Sequence, residues 1–398
     1  LINGKTVLTF LVFFLGSMAA FAEGGRTDYD VDGNGLIEIN DLEDLNEIRN
    51  NTYYNSGYLF GTTLYGQSMG CPAGGCFGFE LTQDLDFDTN TDGVMDEQDA
   101  YWNEGEGWFP ISGQAGMLNT RFAGNGHVIY NLYINRPQTT HVGLFSFVKS
   151  VEVSNLGFAG SLMFVAGSDY VGAFAGAMSS GALTGLFNTG SISGADRVGG
   201  LVGHTYKTEI KTAFNTGAIT GEQYVGGLVG YFYTSSVMRY VYSTGRITST
   251  GLGGALAGSG GRNSTSKIYR SYFPLDSTGA QESVYNAQRI NSKTVQSIVD
   301  LQCTILHEGA YVPVSCDGTN YLYNGWDYLD YYNSDGEPVF YWDFGETNQL
   351  PGLNFNGVVY RDSDGDGSLD AQDDYPFDTD NDGVDNSFDM YPLDYDRQ

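Results

Sequence analysis

The hexapeptide Val198-Gly-Gly-Leu-Val-Gly203 returns as Val225-Gly-Gly-Leu-Val-Gly230, an offset of 27 positions. At the same offset upstream stands Val171-Gly-Ala-Phe-Ala-Gly176, and downstream of Val225, in weakened form, Leu252-Gly-Gly-Ala-Leu-Ala257. Val142-Gly-Leu-Phe145 is a shorter copy ahead of the Val171 string. Two further columns keep step: Phe187-Asn-Thr-Gly190, Phe214-Asn-Thr-Gly217 and Tyr242-Ser-Thr-Gly245, then Ile192, Ile219 and Ile247. Each apolar piece is short, β-branched or aromatic, and punctuated by glycine, which suits strands and not helices. A helical repeat of this length needs two runs of about ten residues free of glycine. Three short strands and three turns per unit, each strand pairing its copy one rung up at about 4.8 Å, make a solenoid. The expected fold is all-β: a right-handed parallel β-helix with Val, Leu, Ile and Phe stacked in register. The glycines are expected to supply tight corners with positive φ. Asn215 and its equivalents are expected near corners, bonding local backbone or their own copy in the next coil. Gly-x-Gly strings also cradle phosphates, but such a loop is single and opens a helix; here the strings recur at fixed period and no Walker lysine follows.

Working outward, residues 1–22 have the pattern of a cleaved secretory signal: Lys5, the apolar run Val7 to Leu15, and Ala20-Phe21-Ala22 ahead of Glu23. No other apolar stretch approaches the roughly 20 residues of a membrane helix. Residues 23–60 are assigned to an acidic loop and a helical cap, Asn40 to Arg49, with Asn40 as N-cap and Leu42, Leu45 and Ile48 on one face. The solenoid is placed at 61–270. A C-terminal cap and β extension follow at 271–360, with a second helix expected from Ser292 to Leu301, and an acidic tandem at 361–398. Cys71 and Cys76, and Cys303 and Cys316, are close in sequence and favour two short-loop disulfides. Half a zinc site is the competing reading, but His127, His141, His204 and His307 have no ligand spacing to them.

Charge is uneven. The chain of 398 residues carries 18 basic and 48 acidic side chains, a net of −30, which argues against nucleic acid as a partner. Charged residues are only 17% and hydrophobic ones 41%, so the chain is not a disordered polyacid. Residues 141–270 nevertheless hold nine Lys or Arg against five Asp or Glu. The negative charge therefore lies in the flanks, where a cation is expected to neutralise it.

Those flanks place oxygen side chains two apart around a glycine. Asp362, Asp364 and Asp366 precede Gly367, with Asp373 at the twelfth position; Asp88, Asn90 and Asp92 precede Gly93 and end at Asp99; Asp378, Asp380 and Asp382 precede Gly383 and end at Asp389. This is calcium-loop spacing: positions 1, 3 and 5 converge as the chain curls, and the twelfth residue closes the sphere. All-oxygen donors select Ca²⁺ over softer metals. A less regular fourth case reads Asp28, Asp30 and Asp32 ahead of Gly33 and Asn34, with its acid one place early at Glu38. Residues 361–398 hold 13 aspartates and two arginines, so without cations this tail is expected to expand.

Gly200-Leu201-Val202-Gly203 and Gly227-Leu228-Val229-Gly230 resemble the motif of the GLUG-repeat proteins. Phe79 to Phe87, Trp108-Phe-Pro-Ile111, Phe122 to Ile129 and Asn131-Leu-Tyr-Ile134 look like the coils that precede it. Trp342-Asp-Phe-Gly345 and Gln349-Leu-Pro-Gly-Leu353 look like the segment that closes such domains. The resemblance covers roughly residues 36–356. The two tail loops begin at Asp362 and Asp378, and Tyr375-Pro376 recurs at the same offset as Tyr391-Pro392; this tandem resembles thrombospondin type-3 calcium repeats. The GLUG resemblance implies a secreted or surface-bound bacterial protein, with a Gram-negative host expected; members of that family are mostly large adhesin-like or peptidase-associated proteins, which implies a role in surface attachment or matrix.

For catalysis, β-helical polysaccharide lyases and glycoside hydrolases set the rival reading. Their paired carboxylates are not evident, since Asp196 and Gln223 fall at equivalent positions, and no His-Glu-x-x-His occurs. The favoured function is attachment to a cell-surface or matrix component, polysaccharide among them, with Tyr206, Tyr231, Tyr233 and Tyr240 as candidate sugar platforms or as a packing ladder. Self-association through the ends or the tail is a third class.

Overall fold

The computed structural model describes residues 28–50, 63–64, 67–68, 71–72, 75–111, 119–261, 265–280, 282–302, 305–307, 310–314, 322–323, 326, 331–332, 338–339, 341–345, 349–385 and 388–390. The expected signal segment, and Cys303 and Cys316 with their expected disulfide, lie outside them.

Strands stack in parallel, rung on rung, as the repeat demands. The longest sheet path runs from Leu36–Ile39 through Gly78–Leu81, Arg121–Tyr130, Phe145–Ala159, Ala175–Asn188, Val202–Tyr206, Val229–Tyr233 and Ala257–Ser259 to Val284–Tyr285. Two shorter parallel sheets close each turn: Asp169–Val171 to Gly253–Gly254, and Tyr133–Asn135 to Ile247–Ser249. Val142 pairs with Val171, Val171 with Val198, and Val198 with Val225, and all four are fully buried. Ile192, Ile219 and Ile247 pair likewise. The repeat period is therefore one turn, and the protein is a parallel β-solenoid. The ladder continues beyond residue 270: Lys267–Tyr269 pairs with Gln288–Ile290 and Tyr272–Pro274 with Lys293–Val295.

The motif glycines act by proximity and not by dihedral. A Cβ on Gly200 would lie 2.2 Å from the Gly227 carbonyl oxygen, and one on Gly230 2.3 Å from the Arg197 carbonyl carbon. None of these motif glycines has positive φ. Left-handed backbone falls instead on Tyr170, Arg197 and Tyr224, on Ser180, Lys207 and Ser235, and on Gly185, Thr212 and Tyr240, three corners repeated from turn to turn. The asparagine column does both things expected of it. Asn188 Nδ2 donates to the Gly190 carbonyl at 2.9 Å and to Asn215 Oδ1 at 2.7 Å, and Asn215 Nδ2 donates to the Gly217 carbonyl at 2.8 Å.

The Phe187 column faces outward, away from the coil interior. Phe187 and Phe214 stack at 5.0 Å and Phe214 and Tyr242 at 5.2 Å, nearly parallel. These rings form a second core with Tyr272, Tyr323, Trp326, Trp342, Leu353 and Phe355. The C-terminal segment thus folds back along the flank as a lid, its three-stranded antiparallel sheet being Trp342–Asp343, Gly352–Phe355 and Val358–Tyr360. Tyr242 donates its hydroxyl to the Pro351 carbonyl at 2.8 Å, and Trp326 its indole N–H to the Arg270 carbonyl at 2.7 Å.

Helix is scarce. Leu42–Glu47 forms as expected, but its N-cap is Asp41, whose carboxylate accepts from the Asp44 amide at 2.8 Å, while Asn40 bonds back to Asp44. The second expected helix divides: Lys293–Val295 pairs as a strand and only Ile298–Gln302 is helical. Pairing with the rung below outweighs the local helical pattern there.

Candidate functional site

The four acidic loops share one hydrogen-bond framework. The sixth residue donates its amide to the first carboxylate: Gly35 to Asp30 (2.9 Å), Gly93 to Asp88 (2.9 Å), Gly367 to Asp362 (2.9 Å) and Gly383 to Asp378 (2.7 Å). The fifth amide donates to the third side chain and the seventh to the fifth, as in Asn34 to Asp32, Leu36 to Asn34, Asp366 to Asp364 and Ser368 to Asp366. Positions 4 and 6 are left-handed throughout: Gly33 and Gly35, Thr91 and Gly93, Gly365 and Gly367, Asn381 and Gly383. A Cβ on Gly33, Gly93 or Gly383 would meet nothing within 4 Å, so glycine is favoured there for its φ alone.

This framework shifts the first loop by two places from the sequence reading. Asp30 holds position 1, Asp32 position 3, Asn34 position 5 and Gly35 position 6. Asp28 precedes the loop, Glu38 falls at position 9 and Asp41, not Ile39, at position 12. Glu38 Oε1 accepts from the Val31 amide at 2.7 Å, and in the third loop Asp370 does the same for the Ser363 amide at 2.7 Å. Asp373, at the twelfth position of that loop, accepts from the Tyr375 amide at 2.8 Å. Asp41 and Asp370 are thus loop residues that the sequence reading passed over; the Asp-x-Asp-Gly-Asn-Gly run contains both frames, and only the backbone chooses.

Oxygen donors converge in three of the loops. Within Asp362, Asp364 and Asp366, within Asp378, Asp380 and Asp382, and within Asp30, Asp32 and Glu38, one carboxylate oxygen from each lies within 4.8 Å of the others. In the second loop position 3 is Asn90, so its donors are two carboxylates and an amide. Asp99 closes it by accepting from the Thr89 and Asp96 amides at 2.8 and 2.9 Å. Asp30 is 2% exposed, and its Oδ1 has no hydrogen-bond partner.

The third loop is the most deeply set. Asp362 is 0% exposed and Asp364 1%. Burial first, then the charges of Asp364 and Asp366, push the Asp362 carboxyl well above the usual range; burial and Asp366 push Asp364 up to about 7. The loop is seated on the Thr-Gly corner column: a Cβ on Gly367 would touch the Thr189 carbonyl at 2.9 Å, and one on Gly365 would touch Ile298 and Thr244. Leu369 enters the lid core. On one side of the loop the solenoid flank therefore takes the place of solvent. The fourth loop stacks on the third, with the Asp378 amide donating to Asp364 Oδ2 (3.0 Å) and Asn381 Nδ2 to Asp366 Oδ2 (2.9 Å).

A separate aromatic face lies on the solenoid's outer side. Tyr206 and Tyr233 are register partners with ring centres 6.1 Å apart, and Tyr231 and Tyr233 stack at 5.5 Å. Tyr240 does not join them; it sits at another corner, against the lid core. Beside the three tyrosines, the Arg197 guanidinium lies 4.6 Å from the Tyr170 ring and 5.5 Å from that of Tyr231, and pairs with Asp196. Desolvation, with Arg197 and His141 adding, lowers His204 to about 4, so this imidazole is neutral. Asp169 and Asp196 are register partners, a stacked acid pair that comparison of Asp196 with Gln223 overlooked. Cys71 and Cys76 form the expected disulfide.

Among the described residues no helix is long and apolar enough to cross a membrane. No protein-family model matches the chain, and no curated protein matches it. Among solved structures, a "putative immunoglobulin A1 protease" from Bacteroides ovatus is similar at 15% identity and a TM-score of 0.48, over 78% of this chain and 93% of that one.

Proposed function

We propose that this chain is a secreted or cell-surface β-solenoid, stabilised by Ca²⁺, that mediates attachment by contacting glycans. The observation that carries the calcium reading is the third loop: two nearly fully buried carboxylates face each other with a third beside them, an arrangement that is costly unless a cation joins them. The unpartnered Oδ1 of buried Asp30 supports the same reading of the first loop. Oxygen-only donors on a curled loop suit Ca²⁺. When bound, the ion supplies the positive charge that these carboxylates need; Asp30, Asp32, Asn34, Glu38, Asp41, Asp88, Asn90, Asp92, Asp99, Asp362, Asp364, Asp366, Asp373, Asp378, Asp380, Asp382 and Asp389 would hold it. Likeness to GLUG-motif proteins and to thrombospondin type-3 repeats agrees with this reading, and so does the secretory pattern at the N-terminus.

Glycan contact is supported by Tyr206, Tyr231 and Tyr233 sharing one outward face, each offering an apolar ring with a polar tip. Because the third loop is seated on the solenoid, the test uses the full chain and not a tail peptide. Calorimetric titration of chelator-stripped protein is expected to show saturable heat with more than one ion per chain; a flat trace at millimolar Ca²⁺ refutes the metal reading. A glycan array, with a variant carrying Tyr231→Ala and Tyr233→Ala, tests the other half. Binding that survives the double substitution moves the contact elsewhere.

A further inference from the structure

We propose that the outward face around Lys207, Lys211 and Arg239 binds an anionic polysaccharide, carboxylated or sulfated. This rests on the glycan reading above and names the class of glycan. The chain as a whole carries −30, yet residues 141–270 carry nine basic side chains against five acidic ones. Three of those five acids already face arginines: Glu152 faces Arg121, Asp196 faces Arg197 and Glu209 faces Arg239. The solenoid's middle turns therefore keep a net positive charge within an acidic chain.

Its placement is ordered by the rungs. Lys211 is in register with Arg239, and Arg239 with Tyr269; two places along, Glu209, Val237 and Lys267 form the next column on that face. Aromatic rings accompany the cations. The Arg239 guanidinium lies 4.3 Å from the Tyr269 ring, and Lys207 Nζ lies 5.2 Å from the Tyr206 ring, with Tyr233 beside it. A sugar ring laid on such a tyrosine brings its carboxylate or sulfate within reach of a guanidinium or ammonium, where charge-assisted hydrogen bonds form. Rungs repeat about every 4.8 Å, so a polymer running along the axis meets the same chemistry more than once. Duplex nucleic acid, with one charge per roughly 1.7 Å, calls for a longer cationic track than these residues provide.

The experiment is affinity electrophoresis of the Ca²⁺-saturated full chain through gels containing dextran, carboxymethyl-dextran or dextran sulfate, which share one backbone. Both anionic polymers are expected to retard the protein and dextran not to, with retardation falling as salt rises. A variant with Lys211→Gln and Arg239→Gln is expected to lose at least tenfold in affinity; a second, with Lys207→Gln and Lys267→Gln, leaves the Glu209–Arg239 pair intact and guards against misfolding. Unchanged binding in both variants overturns the proposal, as does equal affinity for duplex DNA. Equal retardation by dextran, lost on replacing Tyr231 and Tyr233, overturns the anionic preference while the glycan reading stands. Failure to bind any glycan, on these gels or on the array, ends both.

Discussion

Replacing Asp362 by Asn is expected to stabilise the metal-free protein and to remove much of its response to Ca²⁺. The carboxylate is fully buried and lies within 4.8 Å of the Asp364 and Asp366 oxygens. At an effective dielectric of about 20, each such like-charge contact costs about 3 kcal/mol if both groups stay ionised, and proton uptake at Asp362 or Asp364 lowers that. Asn retains one acceptor oxygen, so one of the two amide bonds from Gly365 and Gly367 is lost, at about 1 kcal/mol. With proton uptake leaving the equivalent of one such contact, the net change without metal is a gain of about 2 kcal/mol. With Ca²⁺ at about 100 times its dissociation constant, the parent gains about 2.7 kcal/mol from each occupied site, and the variant forgoes that gain at this loop. Thermal unfolding followed by circular dichroism, in chelator and in millimolar Ca²⁺, reads both effects. A variant that is less stable than the parent in chelator and keeps the full Ca²⁺ shift refutes the reasoning.

Phe214→Ala removes the middle ring of the flank stack and is expected to cost about 3–5 kcal/mol, measured by chemical denaturation; a loss under about 1 kcal/mol would mean the lid does not rest on it. Asn215→Ala leaves one of the two Asn188 Nδ2 hydrogens and the Gly217 carbonyl without their present partners inside the protein and is expected to cost about 2–3 kcal/mol in the same assay. His204 is held neutral, with its pKa lowered from 6.5 to about 4, so the stability it permits is full above pH 6.5 and falls as pH drops towards 4, by on the order of 2–3 kcal/mol. His204→Phe should flatten that part of the pH profile. In the first loop, Asp41→Ala is expected to weaken Ca²⁺ uptake while Asp28→Ala leaves it unchanged, and calorimetry giving the reverse order would restore the frame that begins at Asp28.

The stacking of Val171, Val198 and Val225 was legible because pairing between identical rungs is a local rule applied repeatedly: one period fixes every register. The acidic loops were legible for a similar reason, since alternate oxygens and a glycine at fixed offset leave little freedom to the chain. What could not be read is where several local solutions compete or where distant segments meet. Gly33 and Gly35 both offer a left-handed turn, and the choice between them is made by the amide of Gly35 reaching Asp30 and by Leu36 entering its strand. The lid is of the second kind. Nothing around Trp342 or Phe355 shows that these residues cover Phe187, far back along the chain, because an outward aromatic column and an inward one have the same spacing. The corner residues were missed because Arg, Tyr and Ser carry no signal for left-handed backbone, whereas glycine does.

A solenoid's rungs stabilise one another in sequence, so its weak points are where the chain enters and leaves the stack. The first acidic loop stands at the point of entry, and the third and fourth lie on the flank, against the Thr-Gly corners. Gly35 is followed at once by Leu36–Ile39, the first strand of the ladder, so a cation that fixes Asp30, Asp32 and Asn34 also fixes the direction in which that strand sets out. On the flank, Val358–Tyr360 finishes the lid and Arg361 ties it down, through the Leu350 carbonyl at 2.7 Å and the Asp343 side chain, immediately before Asp362 enters the Thr-Gly corner. On the proposed reading, the ion at the third loop therefore acts on the flank core more than on the tail: it holds Arg361 and Leu369 in place, and with them the rings that cover the Phe187 column. The central rungs, with fully buried valines and a paired asparagine column, have no such need. Calcium dependence should accordingly be greatest for the lid, the corners beneath it and the first strand, and least for the interior valine ladder of Val142, Val171, Val198 and Val225, which hydrogen exchange in chelator and in Ca²⁺ would read segment by segment. That order follows from where the carboxylates sit and not from how many there are, and equal protection changes along the whole chain would contradict it.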